Sequence, residues 1–174
     1  MRIGPTTRTI FQNAWVVSDI EEACMKWVNQ MGVGPFFLNH YENVFTEVTY
    51  RNQPSTLSMR VALAQAGPLQ IELIEPLTEQ CAYRDVIPKG QSGFHHMCIW
   101  SEDVEADKAY FEQLGYVTAN SGRSGKTQFA YFDTRALMGC MLEVVTRSSA
   151  IESRFAEIAS AAVDWNGDEP IRTH

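Results

Sequence analysis

Two glutamates, Glu72 and Glu143, interrupt runs that otherwise read as buried strand, Leu69-Gln70-Ile71-Glu72-Leu73-Ile74 and Met141-Leu142-Glu143-Val144-Val145. A carboxylate in such a place is costly unless it is partnered, protonated or bound to a cation. Two more polar residues stand at matched places in apolar runs: Gln12 within Thr9–Val17 and His96 within Phe94–Trp100. If these four strands face one pocket, an imidazole nitrogen and three oxygens converge. That donor set suits a divalent ion of hard or borderline character rather than a thiolate-bound metal. The candidate metal ligands are therefore Gln12, Glu72, His96 and Glu143, and the expected cofactor is a divalent metal ion (Zn, Ni, Co, Mn, Mg or Fe). Each residue alone has a plainer reading. Gln12 could be a satisfied strand amide, His96 a core histidine with a backbone partner, and Glu72 an edge-strand charge. Their matched positions in a repeat shift the balance toward metal.

That repeat is visible in the elements that must position them. Thr9–Val17 reads as a strand. Asp19 can cap a helix from Ile20 to Met31, where Ile20, Ala23, Cys24, Trp27 and Val28 recur at helical spacing before Gly32 and Gly34. Phe36–Tyr50 is mixed, part strand and part loop. Leu57–Ala64 and Leu69–Ile74 are strands around the Ala66-Gly67-Pro68 turn. The segment Glu75–Gly93, with Pro76, Pro88 and Gly90, reads as a crossing. The order then recurs. Phe94–Trp100 is a strand, and Ser101 can cap a helix to Leu114. Tyr116–Asn120, Thr127–Phe132 and Cys140–Val145 are strands, with Ser121–Lys126 as a hairpin turn. Gln12–Ile20 aligns with His96–Val104, Asp19 falls on Asp103, and Ile71-Glu72-Leu73 pairs with Leu142-Glu143-Val144.

The expected fold class is thus α+β: two βαβββ modules, residues 9–77 and 93–147, curling a mixed sheet around a metal pocket. A C-terminal helix marked by Ile151, Phe155, Ile158 and Ala162 and a polar, irregular tail occupy 148–174. Strand alternation places Ala14, Val16, Gln70 and Ile74 on the ligand face. It adds Cys98, Trp100, Met141 and Val145 from the second module, which gives a mostly apolar pocket. Cys98 reads as a small lining residue rather than a nucleophile. Asn13, Trp15, Val17, His95, Met97, Ile99, Leu142 and Val144 are assigned to the helix side.

The 174 residues carry 14 Lys and Arg against 21 Asp and Glu, a formal charge of -7 with no basic block. That balance argues against nucleic acid or an anionic membrane as partner. No apolar stretch approaches the ~20 residues of a membrane span, and Met1–Ile10 lacks a signal-peptide apolar run. The cysteines, Cys24, Cys81, Cys98 and Cys140, show neither C-x-x-C nor zinc-finger spacing, as expected of reduced thiols in a cytoplasmic protein.

Ala14-Trp15-Val16-Val17-Ser18-Asp19-Ile20 resembles the strand-to-helix opening of the vicinal oxygen chelate (glyoxalase-like) superfamily. Leu69–Leu77 and Gly93-Phe94-His95-His96-Met97 are similar to segments of methylmalonyl-CoA epimerases, and Met141–Val144 resembles the last ligand strand. The likeness spans about residues 9 to 147. It implies the same ligand places, Gln12, Glu72, His96 and Glu143; the epimerases usually carry His where Gln12 stands, and a Gln there resembles the eukaryotic glyoxalase I set. It also implies a metal that chelates vicinal oxygens of a small carbonyl or CoA-thioester substrate and stabilises an enolate. The chain is then an isomerase, epimerase or lyase, with Glu143 as ligand and base and Glu72 second. Glu42 and Glu47 are weaker candidates for a further base. Sequestration of an apolar small molecule is the alternative, and an iron-dependent ring-cleaving dioxygenase a lesser one. A homodimer is compatible with such modules.

Overall fold

The computed structural model describes residues 8–173; most of the Met1–Ile10 segment, and His174, lie outside them. The first half runs β1 (Ile10–Val16), α1 (Ile20–Met31), β2 (Phe36–Tyr41), β3 (Thr46–Tyr50), β4 (Gln53–Pro54), β5 (Met59–Ala66) and β6 (Leu69–Pro76). A short helix, α2 (Ala82–Val86), lies in the crossing. The second half runs β7 (Gly93–Ser101), α3 (Val104–Gln113), β8 (Thr118–Ser124), β9 (Thr127–Phe132), α4 (Arg135–Met138) and β10 (Met141–Thr146). α5 (Ser149–Ala162) and β11 (Ile171–Thr173) follow. The α+β mixed sheet expected from the repeat is present, and no described helix is long and apolar enough to cross a membrane.

The strands form one sheet in the order β11-β2-β5-β6-β1-β7-β10-β9-β8-β3-β4. The halves meet at β1 and β7, which pair antiparallel, while β6 and β10 flank them in parallel. One apolar core gathers residues from strands far apart in that order: Phe37, Val61, Ala14, Tyr131 and Val48 share it. The sheet therefore curls around it. The outer faces are covered by helices. α1 buries Ile20 and Cys24 against Leu38, Ala62 and Leu73, and α3 buries Val104 and Phe111 against Phe132 and Val144.

Asp19 caps α1 by accepting from the Glu22 amide at 2.8 Å, and Gly32 closes it at φ 65°. α3 departs from expectation. Its cap is Asp103, which accepts from the Ala106 amide at 3.0 Å, whereas Ser101 ends β7 and donates to Asp107 at 2.6 Å.

Three other expectations are corrected. Ser121–Arg123 is strand, not turn, because β3 pairs along it and only Gly125-Lys126 turns the hairpin. Gly122 fits there because a Cβ would lie 2.7 Å from the Phe129 ring. The crossing contains α2, whose Ala82 and Tyr83 are buried in the inner core. The tail is not irregular to its end: β11 pairs in parallel with β2, and Ile171 packs on the α1 side.

Candidate metal centre

Register explains how the site assembles. Ala14 of β1 pairs with Glu72 on one side and His96 on the other. It is wholly buried, and its methyl leaves room for the two longer side chains. One step along, Gln12 pairs with Gln70 and Cys98, and Cys98 pairs with Glu143. Thus Glu72, His96 and Glu143 turn toward one point: their ligand atoms all lie within 4.8 Å of one another. His96 Nε2 is 3.0 Å from Glu143 Oε2 and 3.4 Å from Glu72 Oε2. Gln12 occupies the adjoining row, where its amide nitrogen donates to Gln70 Oε1 at 2.6 Å. That bond leaves the amide oxygen, the end a cation would take.

Strict alternation assigns His95 to the helix side; the structure overturns this. The β1–β7 register slips between Ala14↔His96 and Trp15↔Phe94, a β-bulge that leaves His95 unpaired and turns it inward. His95 is fully buried. Its Nε2 donates to the Ala82 carbonyl at 2.9 Å, and its Nδ1 lies 2.9 Å from His96 Nδ1. Burial and the neighbouring His96 push its pKa down to about 3, so the ring is neutral. With Nε2 carrying the proton, His95 Nδ1 accepts, and His96 must donate from Nδ1. The Nε2 of His96 is then the nitrogen aimed at the carboxylates.

Burial opposes a charge on His96, but hydrogen-bonding and Coulombic attraction to Glu143 and Glu72 outweigh it and hold its pKa up at about 9. Glu72 is pushed above the ordinary carboxyl range, first by burial, against the pull of His96, and also by the charge of Glu143. His96 Nε2 and Glu72 Oε2 are nonetheless buried atoms without a well-directed hydrogen bond. Two carboxylates gathered at an imidazole nitrogen, with polar atoms orphaned between them, fit a divalent cation, which would take the place of the imidazole proton.

A cavity of about 210 Å³ opens above them, with Glu72 and Glu143 in its lining. Its walls come from Met59, Val61 and Leu63 of β5, Phe129 and Tyr131 of β9, and Val145 of β10. Ile151, Arg154 and Phe155 of α5 add to it, and Tyr41, Phe45, Ser124 and Thr127 complete the lining. Of the residues expected to line a pocket, Val145 does so. Ala14, Val16, Ile74 and Met141 share the inner face but are packed solid in the core, and Gln70 is engaged with Gln12. Cys98 is buried, and that burial, with the charge of Glu143 beside it, raises its thiol pKa far above normal. Trp100 stacks on Phe11 with ring centroids 3.9 Å apart. The physical reason is curvature: the central strands form a crowded floor, and the flanking strands rise as walls. Alternation in Met59–Leu63 and Phe129–Tyr131 carried that signal, although the strand order needed to use it did not show in the sequence. Glu42 and Glu47 are exposed and absent from the lining; they sit 3.8 Å from His40 and 3.5 Å from Arg123.

Known proteins share this architecture. The uncharacterized protein YqjC of Bacillus subtilis (strain 168) is 28% identical over 130 residues, 69% of this chain and 91% of that protein. A hypothetical protein from Bacillus halodurans C-125 superposes with a TM-score of 0.58 at 18% identity, covering 83% of this chain and 97% of its own. A variant of Streptomyces coelicolor methylmalonyl-CoA epimerase in complex with 2-nitronate-propionyl-CoA gives 0.57 at 19%, covering 82% and 99%. At that identity the likeness is one of fold. Residues 11–132 match the sequence model of the Glyoxalase/Bleomycin resistance protein/Dioxygenase superfamily, the family resembled by the strand motifs, and the chain belongs to it.

Proposed function

We propose that this protein is a metal-dependent isomerase, epimerase or lyase that moves a proton beside the carbonyl of a small carbonyl compound or a thioester. One observation carries the reading: two buried atoms, His96 Nε2 and Glu72 Oε2, face each other at 3.4 Å with Glu143 alongside and no well-directed hydrogen bond. Glu72, His96 and Glu143 would hold a divalent ion, with the Gln12 oxygen as the nearest neutral donor in the next row. When bound, such an ion supplies Lewis-acid stabilisation of charge on a substrate oxygen. Glu143 lines the cavity and takes the substrate proton at its carboxylate. Glu72, its pKa raised by burial, is the second group able to hold that proton. The apolar walls exclude water from both. Thioesters are one supported substrate class because epimerases of this fold are solved with CoA thioesters bound.

The walls by themselves favour a second reading, capture of an apolar small molecule without chemistry. The ring-cleaving dioxygenase has less support: two imidazoles are wanted, and both His95 nitrogens are engaged elsewhere. The test combines metal analysis of the purified protein with deuterium wash-in from D₂O across a panel of 2-oxo acids and acyl-CoA thioesters. Stoichiometric metal and exchange that Glu143→Gln abolishes, with an unchanged circular dichroism spectrum, are expected. Full exchange in that variant would remove the mechanism, and metal-poor protein that still binds apolar ligands would favour capture.

A further inference from the structure

α5 lies beyond residue 132, where the family match ends. It is fastened by Ile158, buried in the inner core, and by Phe155, which packs on Phe11 and Trp100 with ring centroids 5.9 and 5.7 Å away. So anchored, the helix turns Ile151 and Arg154 onto the cavity wall. Arg154 is half-buried there. Six other described arginines have acids: Arg8, Arg51, Arg60, Arg123, Arg135 and Arg147 each lie 3.5 Å or less from a carboxylate; Arg84 and Arg172 donate instead to the Pro76 and Glu169 carbonyls, and neither lines the cavity. Among the described residues Arg154 has no such ion pair; its Nη2 donates to the neutral amide of Asn39 at 2.8 Å. A guanidinium has five N–H donors in a planar fork that matches a carboxylate. A cation without a counter-ion, on the wall of an apolar cavity in a chain of net charge -7, is a seat for an external anion.

We infer that Arg154 binds the carboxylate of a small amphipathic acid whose other end meets Glu72 and Glu143 across the apolar walls. The cavity size supports a short molecule: about 210 Å³ is below the ~300–1,000 Å³ of sites for drug-sized ligands. The lining holds a single guanidinium and no lysine, which favours a singly charged group over a phosphate. The identity of the far end as a reacting carbonyl rests on the function proposed above; the anionic end is tested apart from it.

The experiment titrates hexanoate, hexanamide and hexylamine into the full-length protein by calorimetry, after chelator dialysis and again with zinc. Chelated protein removes any bond from the acid to a metal, leaving Arg154 as the attraction. Hexanoate is expected to bind best, and Arg154→Gln to weaken it about tenfold, the scale of one charge-assisted hydrogen bond. Hexanamide affinity and zinc uptake should stay unchanged, and Arg154→Lys should fall between. Equal loss of hexanoate and hexanamide, hexanoate binding that survives Arg154→Gln, or no saturable hexanoate binding to the chelated protein would each overturn the proposal. Failure of zinc uptake in the wild type counts against the proposed metal chemistry and leaves the hexanoate result to decide the role of Arg154.

Discussion

Replacing His95 with phenylalanine keeps a flat ring beneath the site and removes both nitrogens. In the native protein those nitrogens join the Ala82 carbonyl to His96 Nδ1 through two contacts of 2.9 Å, all inside the core. The substitution leaves a buried carbonyl and a buried imidazole N–H without partners. At about 1–3 kcal/mol for each orphaned group, stability should fall by about 2–6 kcal/mol. The more diagnostic effect is on metal. Nothing then holds the His96 proton on Nδ1, so the ring loses the preference that leaves Nε2 free toward Glu72 and Glu143. Removing an outer partner of a ligating histidine typically costs 10–100-fold in affinity, and a loss of about that size is expected for zinc. Competition titration against a chromogenic chelator measures it, with circular dichroism to verify folding. His95→Gln can accept from His96 and donate to Ala82, and should recover most of the affinity. Zinc affinity of folded His95→Phe equal to that of wild type would refute the tautomer argument.

The metal-free protein should lose stability as pH rises from 6.5 to about 9. There the folded protein keeps on His96 a proton that the unfolded chain has released, so the contribution is whole below 6.5 and gone above 9. Zinc takes the place of that proton and should flatten the fall; thermal melts across this range with chelator or zinc decide it, and a level metal-free profile contradicts the charge balance. Gly122→Ala should cost about 1–3 kcal/mol by pressing a methyl onto Phe129, read as an earlier denaturant midpoint; an unchanged midpoint would mean that the ring yields freely.

Much of the architecture was legible because duplicated modules repeat their punctuation. Asp19 and Asp103 cap corresponding helices, and Glu72 and Glu143 sit in corresponding strands. The trio of Glu72, His96 and Glu143 followed from period-two alternation, which holds in β6 and β10. It fails at the bulge in β7, since an extra residue in a strand leaves no mark in hydrophobic pattern, and so it places His95 on the wrong side. The cavity walls were hidden for another reason. Which strands rise beside the floor depends on sheet order and curvature, and β5 and β9 carry no charged residue on that face to betray it. α2 is too short for periodicity to reveal; tertiary burial of Tyr83, not intrinsic preference, makes it a helix.

β3 belongs by sequence to the first half yet hydrogen-bonds to β8 in the second. Thr49 and Ser121 hydroxyls meet at 2.8 Å, Asn120 donates to the Thr49 carbonyl at 2.7 Å and accepts from the Ala82 amide, and Arg51 and Tyr50 grip Asp85. This is a second stitched seam between the halves, away from the β1–β7 joint in the strand order. Duplicated lobes tied only at one joint could hinge; lobes sewn at two places form a hoop, and a hoop holds its diameter. Selectivity for ligand length should therefore reside in the girth of this ring, and loosening a stitch should widen what it admits before it unfolds the protein.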